Sequence, residues 1–322
     1  MGISKREIER LRDWTILPIS QSLNLSISLL LFCSFLTSCT SIRPVIKIGL
    51  LAPFEGVERR SGYVALTAMR QAIADSTPTN VTIMPLALDS GADSTGVERA
   101  ARKLLQDAAV AALVGPYTPL LIQQMETVVT RTHLPWLVPF AINPTGGFVA
   151  PHEDGAWAVP LVRAAAAAAA QLGSQRLVLV GWMAGWPQLI TAQSDFALPL
   201  LMEPNPTIQP TDAIFWLGDA KEGAVYFTAL RARFPEAPFL LAPYAADPIF
   251  SEQTQISGPV YLLYWQDDGY EPWRTRYPDL PPSAYLTYRA TQVAITQILG
   301  ETTLEAASWR IQTVALASDQ VE

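Results

Sequence analysis

The sequence predicts an α/β protein with parallel sheets, arranged as two lobes of which the second, with the C-terminus, is abbreviated. Three observations lead there. Apolar, β-rich runs that end in loops alternate with stretches whose apolar residues recur at helical spacing, in the steps of roughly 30 residues that strand–helix–strand units require. This pattern stops and restarts near "AWAVPLVRAAAAAAAQLGSQRLVLVGW". Finally, setting residues 1–38 aside leaves 284 of the 322 residues, more than a single hydrophobic core usually serves.

Each element can be justified in order. "VIKIGLLAPFEG" is a buried parallel strand running into a loop, because its apolar residues are continuous and not alternating. "GYVALTAMRQAIAD" is a helix, "VTIMPLALDS" a second strand, and "STGVERAARKLLQD" a helix with Ser94 or Thr95 as its cap. "VAALVGPYT" gives a third strand, "PLLIQQMETVVTRT" a helix and "LPWLVPFAINP" a fourth strand. After the restart, the alanines from Ala164 to Ala170 form a helix that Gly173 ends. "RLVLVGW", "TDAIFWLG" and "APFLLAPY" are strands, with "GAVYFTALRARF" a helix between the last two. Pro187, Pro199, Pro204, Pro206 and Pro210 leave little room for helix between Trp186 and Asp212. "SGPVYLLYWQ" is a further strand, "SAYLTYRATQVAITQILGE" a helix, and "WRIQTVALASDQVE" holds one last strand.

The segment set aside has its own logic. Lys5, Arg6, Arg10 and Arg12, diluted by Glu7, Glu9 and Asp13, precede an apolar run from Leu25 to Leu36. That run is short for a membrane span, which needs roughly 20 residues, and reads as the core of an export signal. Leu36-Thr37-Ser38-Cys39 resembles a bacterial lipobox, which makes residues 1–38 a lipoprotein signal peptide, Cys39 the lipidated first residue of the mature chain, and residues 39–45 a tether. The competing reading is a buried helix with an incidental cysteine. Cys33 and Cys39 are the two cysteines of the chain, so on the lipoprotein reading no disulfide forms within the mature domain.

Composition excludes several classes. Removing four basic and three acidic residues from totals of 22 and 29 leaves 18 against 26. An acidic surface without basic clusters repels phosphate backbones, so no nucleic-acid partner is expected. No later stretch has the length of a membrane span. No G-x-S-x-G elbow, phosphate-cradling G-x-x-x-x-G-K or G-x-G-x-x-G occurs. His133 in "THLPW" reads as structural, and His152, Glu153 and Asp154 as a turn. No enzyme, catalytic residue, cofactor or metal site is therefore expected.

In open α/β sheets ligands bind beyond the carboxyl ends of the strands. The positions there are Glu55 to Ser61, Tyr117 to Pro119, Ala141 to Asn143, Trp182 to Trp186, Asp219 and Tyr244. Trp182, Trp186 and Tyr244 can offer ring faces to a ligand, or can simply pack. Asp219 can be an anionic partner, or a cap. Arg59 and Arg60 can meet an anionic group, or lie on a solvated face.

"IKIGLLAPFEGVERRSGYVALTAMRQAIAD" with "ALDSGADSTGVERAARKLLQDAAVAALVGPYT" resembles the first lobe of type I periplasmic solute-binding proteins, in the leucine/isoleucine/valine-binding branch that serves ABC importers. Gly56 and Ser61-Gly62 stand at the family's first ligand loop, and the interval from Gly115 to "AINP" at 141–144 matches the stretch between its next two ligand loops. The resemblance implies two Rossmann-like lobes that close on a ligand by a hinge: residues 44–158 with 259–309, and residues 159–258 with 310–322. Crossings are expected near Ala158–Pro160, near Gly258–Pro259 and after Trp309.

The resemblance also implies binding positions at Ser61, at Tyr117 and Thr118 beside Pro119, at Ala141 and Asn143 flanking Ile142, and at Trp182 and Trp186, Asp219 and Tyr244. A free amino acid needs hydroxyl and N–H donors for its carboxylate and a carboxylate for its ammonium. Here the hydroxyl donors reduce to Ser61 and Thr118, and Tyr244 stands at the family's glutamate, so an amino-acid-like, amide or aromatic ligand is expected. The implied role is an exported, lipid-anchored, extracytoplasmic solute-binding protein that delivers a small molecule to an ABC permease. The alternative is a ligand-sensing or partner-docking scaffold with the same fold. A hydrolase would need activity that depends on His152.

Overall fold

The computed structural model describes residues 43–91, 94–142, 148, 157–183, 186–192, 195–245, 247–254, 258–300 and 310–315, the last as backbone. The chain divides into Met1–Pro44 and Val45–Glu322, and all described elements lie in the second unit. The export signal and Cys39 fall outside the described residues, as do Asn143 and the His152 turn.

The first sheet is parallel, in the order β2-β1-β3-β4. Strand β1 (Val45–Ala52) lies between β2 (Thr82–Asp89) and β3 (Val110–Val114), and β4 (Trp136–Leu137) forms the edge. A strand with neighbours on both sides and helices on both faces must be apolar throughout, and Ile48 to Ala52 are buried without a break. The fourth strand is far shorter than "LPWLVPFAINP" suggests. Pro135 and Pro139 flank it, and a proline has no N–H to give to a ladder. Helices α1 (Arg59–Ser76), α2 (Ser94–Leu105) and α3 (Pro119–Val129) connect these strands.

Helix α4 (Ala158–Gln171) contains the alanine run, and Gly173 follows it with φ of 82°, a left-handed conformation that glycine adopts without a Cβ clash. The second sheet has the order β10-β9-β8-β7-β5-β6. Its strands are β5 (Arg176–Val180), β6 (Leu200–Leu201), β7 (Asp212–Trp216), β8 (Phe239–Leu241), β9 (Val260–Gln266) and β10 (Arg310–Ala315). All pairs are parallel except β9 with β10. The remaining helices are α5 (Trp186–Thr191), α6 (Ala220–Arg231), α7 (Pro248–Gln253), α8 (Tyr270–Arg276) and α9 (Ala284–Leu299), with a 3-10 turn over Pro243–Ala245.

The abbreviation falls between Trp186 and Asp212, where α5 has six residues and β6 two. The sheet itself is not cut down: with six strands it is larger than the first. The return to the first sheet also comes later than Gly258–Pro259. Strand β9 is apolar on both faces and therefore fits inside the second sheet, between β8 and β10. It is α9 that packs back against α1 and β3. Helices α7 and α8, each under two full turns, carry too few residues for a periodic signal in the sequence.

Two nearly buried carboxylates tie α8 and α9 to the rest. Asp75, at the end of α1, accepts from Tyr277 at 2.9 Å and Tyr288 at 2.8 Å and pairs with Arg276 at 2.9 Å. Asp267 accepts from the Tyr285 hydroxyl and pairs with Arg289 at 2.9 Å. Each satisfies a buried charge with several partners, as a buried carboxylate requires.

Candidate functional site

The loop after β1 is pinned before it reaches the site. Asp89, at the end of β2, accepts from the N–H groups of Phe54 at 2.6 Å, Glu55 at 3.1 Å and Gly91 at 3.0 Å. Helix α1 then sits tightly on this loop: a Cβ on Gly62 would meet the Pro53 carbonyl oxygen. Glu58 occupies the N-cap position of α1 without a side-chain cap bond, and Ser61 lies in the first turn.

Elements of the second sheet face them. Asp219 caps α6, accepting from the Glu222 N–H at 2.7 Å, and Asp247 caps α7, accepting from the Ile249 N–H at 2.8 Å. Asp247 also accepts from the Ser61 hydroxyl, and Arg60 pairs with Glu252. The start of α1 therefore touches the start of α7 directly. Burial holds the Glu58 carboxyl above the usual carboxylate range, with Asp247 and then Asp219 adding to the shift and Lys221 opposing it. Burial likewise raises Asp247, against the opposing Ser61 and Ile249 hydrogen bonds and Arg60; Glu252 adds to the rise. Carboxylates crowded in this way favour a proton or a cation between them.

Two of the strand-end positions belong to an aromatic group. The Tyr244 ring is 4.5 Å from Phe140, Phe140 is 5.2 Å from Trp157, and Trp157 meets Trp186 edge-on at 5.2 Å. Trp186 is only 4 % exposed. The Tyr244 hydroxyl donates to the Leu217 carbonyl at 2.9 Å, and burial pushes its pKa up. A cavity of about 10 Å³, lined by residues including Phe140, Pro243, Tyr264, Trp265 and Leu286, adjoins this group. It has space for one water at most.

The strand-end positions thus separate into three sets. Ser61 and Asp219 belong to the polar contact between the two sheets, with Asp219 spending one carboxylate oxygen on its cap. Trp186 and Tyr244 pack into the aromatic group, and Trp182 is half-buried against the same core. In the third set, Ala141 is fully buried in the same core as Trp186, and Tyr117 packs on the first sheet's core with its hydroxyl 2.7 Å from Thr287 of α9. Thr118 stands at the N-cap of α3 without a side-chain cap bond. Three residues the sequence reading passed over complete the site, Lys221, Asp247 and Trp157, beside Glu58 of the Glu55 to Ser61 loop. Asp247 had a legible signal, since an acidic residue directly before a proline marks a helix start. Among the described residues, no group of three His, Cys, Asp or Glu side chains is arranged to hold a metal ion.

No protein-family model matches the sequence, and no curated protein matches it. Solved structures do match in fold. A leucine-binding protein, LivK, from Thermotoga maritima superposes with a TM-score of 0.58 at 19 % identity, over 79 % of this chain and 83 % of that one. A possible leucine/isoleucine/valine-binding protein from Rhodopirellula baltica gives 0.56 at 15 %, over 88 % and 97 %. An ABC transporter substrate-binding protein from Desulfitobacterium hafniense, solved with leucine, gives 0.55 at 15 %, over 81 % and 85 %. At these identities the likeness is one of fold: the chain has the α/β architecture of type I periplasmic binding proteins, and its structural neighbours are leucine/isoleucine/valine-binding and other ABC transporter substrate-binding proteins.

Proposed function

We propose that this chain is an extracytoplasmic solute-binding lipoprotein of an ABC importer, held to the membrane by lipid on Cys39, that captures a small molecule between two lobes and presents it to a permease. The observation that carries the reading is the facing of Glu58 and Ser61, from the first sheet, by Asp219 and Asp247, from the second. Both sets lie beyond strand carboxyl ends, where open α/β sheets take their ligands. Ligand contacts to both sides would draw the lobes together, so neither side alone suffices. The carboxylates suit an ammonium or amide group, and the aromatic side chains at the strand ends an apolar or aromatic body. The structural neighbours are substrate-binding proteins and not enzymes, which agrees with a role without covalent chemistry. Among the described residues no helix is long and apolar enough to cross a membrane.

The test is a thermal-shift screen of the full chain against amino acids, short amides, purines and aromatic acids. A ligand at 100 times its dissociation constant adds about 2.7 kcal/mol. A hit that Asp247→Asn abolishes, while the unliganded variant still melts cooperatively, supports the reading.

A second reading has its own observation. Phe140, Trp157, Trp186 and Tyr244 pack against one another, and the cavity of about 10 Å³ beside Phe140 is lined by Leu263, Tyr264, Trp265 and Leu286 among others. A scaffold that docks a protein partner needs no ligand space. A cooperative melt with no hit across the panel favours it.

A further inference from the structure

We propose that the start of α1 and the starts of α6 and α7 form a proton-operated latch, which holds the two sheets together without any ligand and releases them when its carboxyl groups ionise. The proposal rests on the two-lobe reading but needs no solute.

The geometry has two parts. The rim is attractive: the Ser61 hydroxyl donates to Asp247, and Arg60 pairs with Glu252. Both contacts join a helix packed on the first sheet to one that belongs with the second. Behind the rim lies an excess of acid. Glu58 faces Asp247, Asp219 and Lys221, while Asp247 faces Glu58, Ser61, the Ile249 N–H, Glu252 and Arg60. Closing the two sides thus partly buries two carboxyls beside further carboxyls, with Lys221 and the exposed Arg60 as the nearby cations.

The direction follows from linkage. Both Glu58 and Asp247 are held above their ordinary range in the closed form, whereas separation would return them to water and toward ordinary values. The closed form therefore binds more protons than the open one. It is favoured below the ordinary carboxylate range, and the advantage is lost as pH rises through the raised values. Once ionised, the carboxylates repel one another, and the Arg60–Glu252 pair, being exposed, contributes little to resist them.

The experiment uses the full chain carrying Cys33→Ser and Cys39→Ser, with spin labels on Leu120→Cys and Val225→Cys. These two positions are exposed, on α3 and α6, and outside the latch. Distance distributions are recorded by double electron–electron resonance from about pH 5 to about pH 8, a window that spans the range above ordinary carboxylates. A longer component is expected to grow with pH. It should stay small at every pH in the Glu58→Gln/Asp247→Asn variant, and be present even at acid pH in Arg60→Ala/Ser61→Ala. A distribution unchanged by pH overturns the latch, and so does a Glu58→Gln/Asp247→Asn variant that responds as its parent does. Single Glu58→Gln, which should weaken the response, gives the same decision if the double variant does not fold. The two proposals fail separately: an empty ligand screen leaves this distance change intact, and an unchanged distance leaves a ligand-induced melting shift intact.

Discussion

Trp186 is the residue on which packing and ligand binding make opposite predictions. It is 4 % exposed and meets Trp157 edge-on at 5.2 Å. Truncating a buried tryptophan to alanine costs about 3–5 kcal/mol in lost transfer energy and cavity formation. The edge-on pair accounts for about 0.5–1.5 kcal/mol beyond burial. Domains of this size lose about 2–4 °C of melting temperature per kcal/mol, so Trp186→Ala should lower the midpoint by about 6–20 °C. Circular dichroism during heating, with a urea titration to check that the transition stays two-state, reads this directly. A double-mutant cycle with Trp157→Ala should return a coupling of about 0.5–1.5 kcal/mol. If Trp186→Ala instead melts within about 1 kcal/mol of the parent, the side chain is not a packing element, and the aromatic group must be read as a ligand wall. The consequence for any binding assay is practical. Loss of a ligand signal in Trp186→Ala would report unfolding as readily as a lost contact, so Asp247→Asn and Ser61→Ala are the informative variants.

Three further expectations follow from particular contacts. Gly62→Ala, normally a gain of about 1 kcal/mol within a helix, should destabilise here, because the new Cβ would meet the Pro53 carbonyl oxygen; a raised urea midpoint would contradict the tight seating of α1. Asp212 is 1 % exposed, accepts from Arg176 at 2.7 and 3.1 Å and from the Gln209 N–H at 2.7 Å. Asp212→Ala removes the buried acceptor of a pair whose Arg176 side is partly exposed and should cost about 1.5–3 kcal/mol in urea unfolding, the range for hydrogen bonds to charged groups; a loss below about 0.5 kcal/mol would refute that role. Glu58 is held above its ordinary range by burial first and then by Asp247 and Asp219. Its contribution to stability is therefore fully present below the ordinary carboxylate range and is lost as pH rises through the raised value. Glu58→Gln should melt higher than the parent at neutral pH and converge with it in acid, and melting curves that differ equally at both would refute the assignment.

The sequence by itself determined the alternation of strands and helices and the burial of β1. It also located the helix of Ala164 to Ala170 and the places where prolines interrupt regular structure. These are local properties: apolar periodicity and the missing N–H of proline act within a few residues. They also directed attention to the strand ends, where Ser61, Asp219, Trp186 and Tyr244 stand. The tertiary structure decided what those residues meet. Whether Trp186 offers its face to a cleft or to Trp157 depends on packing between segments some thirty residues apart, which no local pattern encodes. Asp219 and Asp247 are each legible as helix caps; that Asp247 also receives the Ser61 hydroxyl, 186 positions away in sequence, required both sheets to be in place. The same holds for β9, which is apolar enough for either sheet and joins the second because β8 offers it a free edge and β10 covers the other side. Side-chain identity sets what each residue can do, and long-range packing, which sums many weak contacts across the chain, selects which of those capacities is used.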